Sequence, residues 1–400
     1  MMSDLWTLIK FEYKKIFQKK SSWIALIVVY LFILLGGVLM EIGSIEAEGE
    51  KVSSNYEDMM AQKKEELNYT GEYLDENLFA EAQEAYSHLS IDYVTNAWNS
   101  VEDWEDYCTY VRPYQSVAGI FTQTGMDIFS SDVSQFYEYR KTAMQNTYEE
   151  ENLSEKEINR HFKWDAQTQK PFVYSYTEGY QRFAALQYTN IIFIAFAVAV
   201  CVSGIFSGEY TSGVDALILS AKYGKTKEAA AKIFTGGSLA FLVALLYEGS
   251  CFLEVGLLYG FEGADAPVQL GTALISYPLT MLQYCLGLLA LGILAVCVVA
   301  GFTMFCSAKM KSTFPVIILA FILIFVPVML MVPEEKRILT MLVNLLPARM
   351  GGGAFDDRLL CIFGSCVPPY VYVPIVYLAL GAFLVWQAGR GFRRHQIGGR

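Results

Sequence analysis

The sequence lacks the short motifs on which nucleotide and peptide chemistry usually depends. A phosphate-binding loop requires the pattern G-x-x-x-x-G-K-[ST]. Its nearest match here is Gly224-Lys225-Thr226, where Leu219 stands in place of the first glycine. The metalloprotease motif H-E-x-x-H, the esterase motif G-x-S-x-G and a pair of intramembrane aspartates are also missing. We therefore expect no catalytic residue and no ATP site in this chain.

Metal-binding and disulfide patterns are similarly scarce. The eight cysteines form no C-x-x-C pair, and the three histidines, His88, His161 and His395, are far apart in sequence. Metal sites that can be recognised in a sequence usually have closely spaced ligands. We therefore expect no metal centre and no cofactor. Cys361 and Cys366 are near enough in sequence to form a disulfide, and the sequence leaves open whether they do.

Long apolar runs dominate the remaining sequence. Hydrophobic residues make up 54% of the 400 residues, which is high for a soluble protein. They form blocks long enough to cross a hydrocarbon core of about 30 Å, which takes about 20 helical residues. We predict an all-α polytopic membrane protein with six transmembrane helices. The predicted spans are 22–40, 186–207, 229–259, 270–305, 314–332 and 371–388.

Lysine and arginine determine the predicted orientation, because the cytoplasmic loops of membrane proteins carry an excess of both. They are concentrated in the N-terminal segment 1–21, in the loop 208–228 and in the C-terminal tail 389–400. The loop 261–269, by contrast, has two acidic residues and no basic one. We therefore place both termini inside and expect the protein in a bacterial cytoplasmic membrane.

Hydrophilic residues are concentrated in the segment 41–185, between the first two predicted spans. This segment has 28 Asp and Glu against 11 Lys and Arg, a net charge of −17. Its many aromatic residues argue against disorder, and Ser154 and Glu157 have the spacing of a helix capping box. We predict a large, mainly helical extracellular domain. Its acidity could attract a cationic substrate, or could only keep the surface soluble, which is the simpler interpretation.

The loop 208–228 carries the most informative pattern. It starts with an acidic residue at the exit of the second span, continues through a glycine and an amphipathic run, and returns to the membrane through basic residues. The residues concerned are Glu209, Gly213, Leu217, Leu219, Ser220 and Lys225. The pattern predicts a short helix along the cytoplasmic surface with one face available to a partner.

This pattern resembles the signature of ABC-2 type permeases, the type-2 exporter class of ATP-binding-cassette transporters. The usual form is E-x-x-x-G followed by L-L, a proline, a serine or threonine, and an arginine. A lysine at the start of the next span follows in that family. Here Ala221 stands at the proline position, Lys225 at the arginine position and Lys232 at the position of that lysine. The basic amphipathic helix predicted at 5–19 and Leu345-Leu346-Pro347 in the predicted extracellular loop 333–370 also fit the family.

The resemblance implies the function of a transport subunit. The loop 208–228 would be the coupling helix that docks on a cytoplasmic ATPase subunit, which would bind the ATP. A second permease copy or a paralogue would complete a path through which a peptide, an antibiotic, a lipid or an ion moves outward. Membrane lipid would surround the spans, and we expect no nucleic-acid partner.

Two acidic residues, Glu248 and Glu254, lie within the third predicted span. A carboxylate near the middle of a membrane costs roughly 2.5–3.5 kcal/mol on insertion scales, so it normally faces protein or water. We regard both as candidates for a transport path. The alternative is that both lie close to the outer surface, where this cost is small.

Two other functions remain open at this point. In a sensor or mechanotransmission protein associated with an ABC system, the outer domain would bind a signal and nothing would cross the membrane. A secondary transporter driven by an ion gradient would usually show inverted repeats and broken helices. No clear internal repeat is present, and Glu248 is the single feature that favours this second alternative.

Overall fold

The structure is a computed structural model that describes residues 2–89, 100–214, 217, 220, 224–333, 335–362 and 365–394. Its contacts divide the chain into two compact units. Unit 1 consists of Met1–Leu34, Ala184–Phe252 and Gly287–Arg400. Unit 2 consists of Leu35–Phe183 and Leu253–Leu286.

Helices account for most of the described residues. In chain order they are α1 (Met2–Phe17), α2 (Lys20–Leu39), α3 (Asn55–Glu66), α4 (Glu76–Ser87), α5 (Val101–Asp106), α6 (Gln115–Thr122), α7 (Phe136–Glu150), α8 (Glu155–Asp165), α9 (Glu178–Val202), α10 (Ser207–Ser212), α11 (Ala229–Tyr259), α12 (Met281–Lys309), α13 (Thr313–Met329), α14 (Arg337–Asn344), α15 (Met350–Gly353) and α16 (Pro369–Arg394). The structure also contains two short antiparallel hairpins, which the sequence did not predict. They pair β1 (Ser44–Ala47) with β2 (Glu50–Ser54) and β3 (Leu360–Ile362) with β4 (Ser365–Val367).

Five helical segments of the described residues are long and apolar enough to cross a membrane. They are Lys20–Leu39, Glu178–Ser212, Thr226–Tyr259, Met281–Lys309 and Pro369–Arg394. Such segments form helices because every backbone group in hydrocarbon needs a partner within the chain. The protein is therefore a mostly helical, multi-pass membrane protein. The remaining predicted span, 314–332, coincides with α13, an apolar helix of 17 residues.

Unit 2 contains α3 to α8 and the first hairpin. The predicted capping box at the start of α8 is confirmed, since the Glu157 carboxylate accepts a hydrogen bond of 2.9 Å from the backbone N–H of Ser154. A buried arginine, Arg140 in α7, pairs with Asp165 in α8 at 2.7 Å. It thereby fixes the packing of these two helices against each other.

The segment before α12 explains why this helix begins at Met281, whereas the predicted span begins at residue 270. The backbone around residues 273–277 is not helical, and side chains bind its carbonyl groups. The Arg140 guanidinium donates to Ala273 O at 2.6 Å and to Ile275 O at 3.1 Å, and Gln269 Nε2 donates to Tyr277 O at 3.1 Å. Pro278 further disfavours a helical conformation for the residue before it.

Unit 1 contains α1, α10, α13 to α16, and most of the membrane-crossing helices. Polar contacts join these helices within an apolar surrounding, such as the Tyr247 hydroxyl, which donates to Leu26 O at 2.8 Å. Gly292 allows α12 to approach α9 closely, because an added Cβ would lie 2.5 Å from Gln187 Nε2. A disulfide joins Cys361 and Cys366 across the second hairpin.

Candidate functional site

The predicted loop begins with α10, a six-residue helix that follows α9. Glu209 in α10 is 6% exposed, so its carboxylate points into the protein. Gly213 ends the helix in the left-handed conformation, with φ of 72°. Glycine adopts this conformation without a steric penalty, which makes it a common helix terminator. Gly213 therefore allows the chain to leave the helix at this point.

Glu209 belongs to a buried ion cluster formed by Glu12, Lys15, Glu209, Glu228 and Lys232. Lys232 lies at its centre in the first turn of α11 and is fully buried. Its Nζ lies 2.5 Å from Glu209 Oε1, 2.9 Å from Glu12 Oε2 and 3.6 Å from Glu228 Oε1. One ammonium group therefore joins the N-terminal helix α1, the helix α10 and the start of α11.

Lys15 adds a second cation at the edge of the cluster. Its Nζ lies 2.5 Å from Glu12 Oε1 and 3.0 Å from Glu209 Oε1. Burial acts to lower the pKa of Lys15, but its hydrogen bond and charge interaction with Glu12 and the charge of Glu209 together raise that pKa well above its ordinary value. Burial alone would raise the pKa of Glu12, but Lys232 and Lys15 hold it below its ordinary value. The cluster therefore consists of mutually stabilised ions.

Three carboxylates of this cluster are close enough to be considered as metal ligands. One oxygen each from Glu12, Glu209 and Glu228 lie within 4.8 Å of one another. Hard cations such as Mg²⁺ prefer oxygen ligands of this kind. The Lys232 ammonium already lies among these oxygens, however, and a metal ion would have to displace it. The arrangement is that of an ion-pair network.

Comparison with known proteins assigns the chain to a family. The family model described as ABC-2 family transporter protein matches residues 19–386. The chain belongs to the ABC-2 family. The match includes Glu209, Glu228 and Lys232 of the ion cluster, but it begins after Glu12 and Lys15. A search of curated proteins found no match.

The predicted resemblance to ABC-2 type permeases is thus confirmed. Proteins of this family are membrane transport components without an ATP site of their own, and they normally work with a cytoplasmic ATPase. The ion cluster consequently lies in an ABC-2 transporter protein, at the place where the sequence predicted the contact with that ATPase.

Of the other predicted residues of this ABC-2 protein, Gly213, Leu217 and Ser220 are described and are not part of the cluster. Leu217 is 74% exposed, and the Ser220 hydroxyl donates to its carbonyl oxygen at 2.9 Å. Lys225 lies in the π-helical turn Gly224–Glu228, and its side chain is outside the described part of the structure. Leu219, Ala221 and His395 also lie outside the described residues.

The two acidic residues of α11 lie away from the cluster. Glu248 is fully buried, sixteen residues after Lys232 and hence about 24 Å further along the helix. Glu254 is half-buried and lies against α2, where a Cβ added to Gly37 would be 2.9 Å from Glu254 Oε1. Their environments therefore differ, although both lie within one predicted span.

Sequence reasoning missed Glu12, Lys15 and Glu228 as members of the site. The signal for Glu12 was present, because it lies between Ile9 and Ile16 at helical spacing, and all three are buried on one face of α1. A charged residue within an apolar stripe needs a partner, since an unpaired buried charge is strongly unfavourable. The identity of that partner could not be read from the sequence, because Lys232 is far away in the chain.

A cavity of about 360 Å³ opens beside the cluster in unit 1. Residues from the end of α1 and from the end of α9 through α10 form its walls. They include Glu12, Lys15, Lys19, Gly204, Glu209 and Val214. The ion cluster is therefore accessible from one side, through an opening with both acidic and basic walls.

Proposed function

We propose that this ABC-2 protein is the permease subunit of an ATP-binding-cassette exporter, powered by a separate cytoplasmic ATPase. The observation that carries this proposal is the contact of Lys232 with both Glu12 and Glu209. It joins the N-terminal helix and the coupling segment 208–228 to α11. The substrate classes implied by the family remain a peptide, an antibiotic, a lipid or an ion.

The energetics of the cluster explain how it would transmit force. Removing one partner of a buried ion pair destabilises a protein by about 3–5 kcal/mol, because the other charge stays buried without compensation. Separating α10 from α11 would carry a similar penalty. A displacement of the segment 208–228 by the ATPase would therefore move α1, α10 and α11 together, as in a rigid-body transition between two states.

The disulfide supports the proposed orientation, with both termini in the cytoplasm. It lies just before α16, whereas Phe392 near the other end of α16 contacts Phe206, with ring centroids 5.1 Å apart, close to Glu209. The 26 residues of α16 extend about 39 Å, which approaches the full thickness of a bilayer. Disulfides persist in oxidising compartments, so the hairpin would be outside and the ion cluster inside.

Six transmembrane helices fit this arrangement. The helix α13 has 17 residues, the lower limit for a segment that crosses a hydrocarbon core. Together with the five longer segments it would bring the C-terminus to the same side as the N-terminus. The acidic region 41–185 would then be extracellular. Exposed apolar side chains on α16, such as Ile375 and Trp386, would face lipid or a second permease copy.

Leu217 provides the test of the coupling role. It is highly exposed, so Leu217→Asp changes a surface without disturbing the buried cluster. We expect an ATPase subunit to copurify with the solubilised wild type from its native membrane and to be lost with Leu217→Asp. Leu342→Asp, the same change at an exposed position of α14, serves as the control and should retain the ATPase.

Two outcomes would contradict the proposal. Equal capture by the two variants would exclude Leu217 from the docking surface. No ATPase with any form of the protein would remove the basis for ATP-driven export, and transport driven by an ion gradient would then be the function to test.

A further inference from the structure

The cavity beside the ion cluster has a cation in its wall that the cluster does not use. Lys19, in the connection between α1 and α2, lines this cavity. Its ammonium group makes no ion pair and no hydrogen bond with any residue that the structure describes. Lys15, by contrast, is paired with both Glu12 and Glu209. The charge of Lys19 is therefore available to a ligand.

Gly204 determines where the Lys19 ammonium lies. A Cβ added to Gly204 would be 2.6 Å from Lys19 Nζ, so the ammonium lies against the backbone between α9 and α10. Gly204 is buried and is itself one of the residues that line the cavity. The ammonium is thus held at the cavity wall, in a position from which a larger residue at 204 would displace it.

The accessible charge in the cavity is positive, although two carboxylates also belong to its walls. The side chains of Glu12 and Glu209 are only 2% and 7% exposed, and Lys232 contacts both. The side chain of Lys15 is 35% exposed, and Lys19 is also exposed. A ligand in the cavity would therefore meet two lysine side chains, whereas the carboxylates are almost completely covered.

The cavity lies at the level where the chain enters the membrane. Lys19 is followed directly by α2, the first of the segments that are able to cross a membrane. Trp23, in the first turn of α2, donates its indole N–H to Phe17 O at 2.8 Å, and tryptophan is enriched at membrane–water interfaces. The next turns of α2 expose apolar side chains such as Ile24 and Val28. Lipid phosphate groups lie at this level, with their acyl chains beside such apolar side chains.

Charge, space and membrane level together identify the chemistry of the ligand. We infer that the cavity binds the phosphate headgroup of an anionic phospholipid, with Lys19 as its counter-ion and Lys15 as a second cationic contact. The apolar part of the cavity wall, formed by Ile16, Ile205 and Val214, would contact the glycerol backbone of the lipid. One water molecule needs roughly 10–15 Å³ of such a cavity. The volume of about 360 Å³ therefore leaves room for a phosphate group and the glycerol next to it.

A bound headgroup would also affect the neighbouring ion cluster. The cavity is lined by the end of α1 and by α10, so a lipid in it would connect these two helices. Their contact would then depend on the lipid composition of the leaflet. The inference rests on the proposed function only for the identity of this leaflet as the cytoplasmic one, since binding of a lipid needs no ATPase.

Binding of fluorescent phospholipids tests the inference. The full chain, purified in a neutral detergent without an ATPase, is titrated with labelled phosphatidylglycerol and with phosphatidylcholine that carries the same label and acyl chains. We expect saturable binding of phosphatidylglycerol and weaker binding of phosphatidylcholine, because its choline cation is repelled by the two lysines. Lys19→Gln should weaken phosphatidylglycerol binding about fivefold, the factor that one lysine contributes near an anionic membrane surface. Glycerol phosphate, which has a phosphate but no acyl chains, should not displace the lipid at millimolar concentration.

Two matched pairs of variants complete the design. Lys14→Gln removes the same charge at an exposed position of α1 outside the cavity and should bind as the wild type does. Gly204→Ala keeps every charge but displaces the Lys19 ammonium, so it should also weaken binding. Gly237→Ala, where an added Cβ meets no atom within 4 Å, is its control. If Lys19→Gln fails to fold, as judged by gel filtration and thermal melting, Gly204→Ala provides the decision.

The outcomes separate this inference from the proposed function. Weaker binding with Lys19→Gln and Gly204→Ala, but with neither control, supports the inference even if no ATPase is captured. Equal losses with Lys14→Gln and Lys19→Gln would show that only the overall charge of α1 matters, and would overturn it. Equal affinity for the two lipids, or an unchanged affinity of Lys19→Gln, would overturn it as well. Displacement by glycerol phosphate would identify a soluble phosphate as the ligand and exclude the lipid.

Discussion

Lys232 Nζ lies 2.9 Å from Glu12 Oε2, so the first turn of α11 is held by the N-terminal helix α1. Both side chains are at most 2% exposed. In the proposed mechanism, this contact would make α1 part of the unit that moves, as well as an anchor on the membrane surface.

Replacement of Lys232 should destabilise the protein strongly. Lys232→Met keeps the length and apolar stem of the side chain but leaves the carboxylates of Glu12, Glu209 and Glu228 without their central cation. We expect a loss of about 3–5 kcal/mol, measured as a lower melting temperature in detergent. Lys311→Met, at an exposed position, should melt like the wild type. Equal melting temperatures for the two variants would show that the cluster does not stabilise the fold.

Glu12 should stabilise the protein in a pH-dependent manner. Its pKa in the folded protein lies below the ordinary value of 4.5, so the unfolded chain takes up a proton first as the pH falls. The stabilisation by Glu12 is therefore complete above pH 4.5 and is lost as the pH drops through the folded pKa. The difference in melting temperature between wild type and Glu12→Gln should shrink below pH 4.5. A difference that stays constant down to pH 3 would rule out an ionised Glu12.

Glu66 in unit 2 should show the opposite dependence. Burial raises its pKa above 4.5, although Gln62, Ser116 and Tyr174 donate hydrogen bonds to its carboxylate. The folded state then holds a proton that the unfolded state has released, so stability falls as the pH rises from 4.5 through the raised pKa. Over this pH interval, the melting temperature of the wild type should fall relative to that of Glu66→Gln. Glu102→Gln should show no such trend.

Gly213 and Gly208 form a matched pair of test positions. A Cβ added at either one meets no atom within 4 Å, but only Gly213 has a positive φ, at 72°. Gly213→Ala should therefore destabilise the turn by about 1–2 kcal/mol, while Gly208→Ala in α10 should be neutral or mildly stabilising. We expect weaker ATPase capture with Gly213→Ala alone. The same capture with both variants would show that the turn conformation is not needed for docking.

The disulfide offers a test of orientation in intact cells. Cys361 and Cys366 should react with a membrane-impermeant maleimide only after treatment with an impermeant reductant. A cysteine introduced by Ser212→Cys, at an exposed position of α10, should react only after the membrane is permeabilised. Labelling of Ser212→Cys from outside would invert the proposed topology.

Much of the architecture could be predicted because hydrophobicity is a local property of the sequence. The apolar runs coincide with α2, α9, α11 and α16, and the capping box of α8 depends on two residues only three positions apart. The start of α12 could not be predicted in this way. It depends on Arg140, which binds the carbonyl groups of Ala273 and Ile275 from a distant part of the chain.

The same limit applies to the site. Glu209 and Gly213 were found because a family pattern places them close together, whereas the ion cluster depends on partners from three separate segments. The difference between Glu248 and Glu254 likewise depends on packing, which buries the first fully and the second only in part. The sequence neighbours of Glu248 and Glu254 do not determine how far each side chain is buried in the folded protein.

Nineteen residues separate Asn190 from Glu209 along α9 and α10, and nineteen separate Lys232 from Cys251 along α11, and this equal spacing has a mechanical consequence. The Asn190–Cys251 and Glu209–Lys232 contacts lie about 28 Å apart at 1.5 Å per residue. Two helical segments that contact each other at both ends of such a length cannot slide past one another unless both contacts break. In the proposed coupling, a displacement of Glu209 would therefore be transmitted to the level of Asn190 in the membrane.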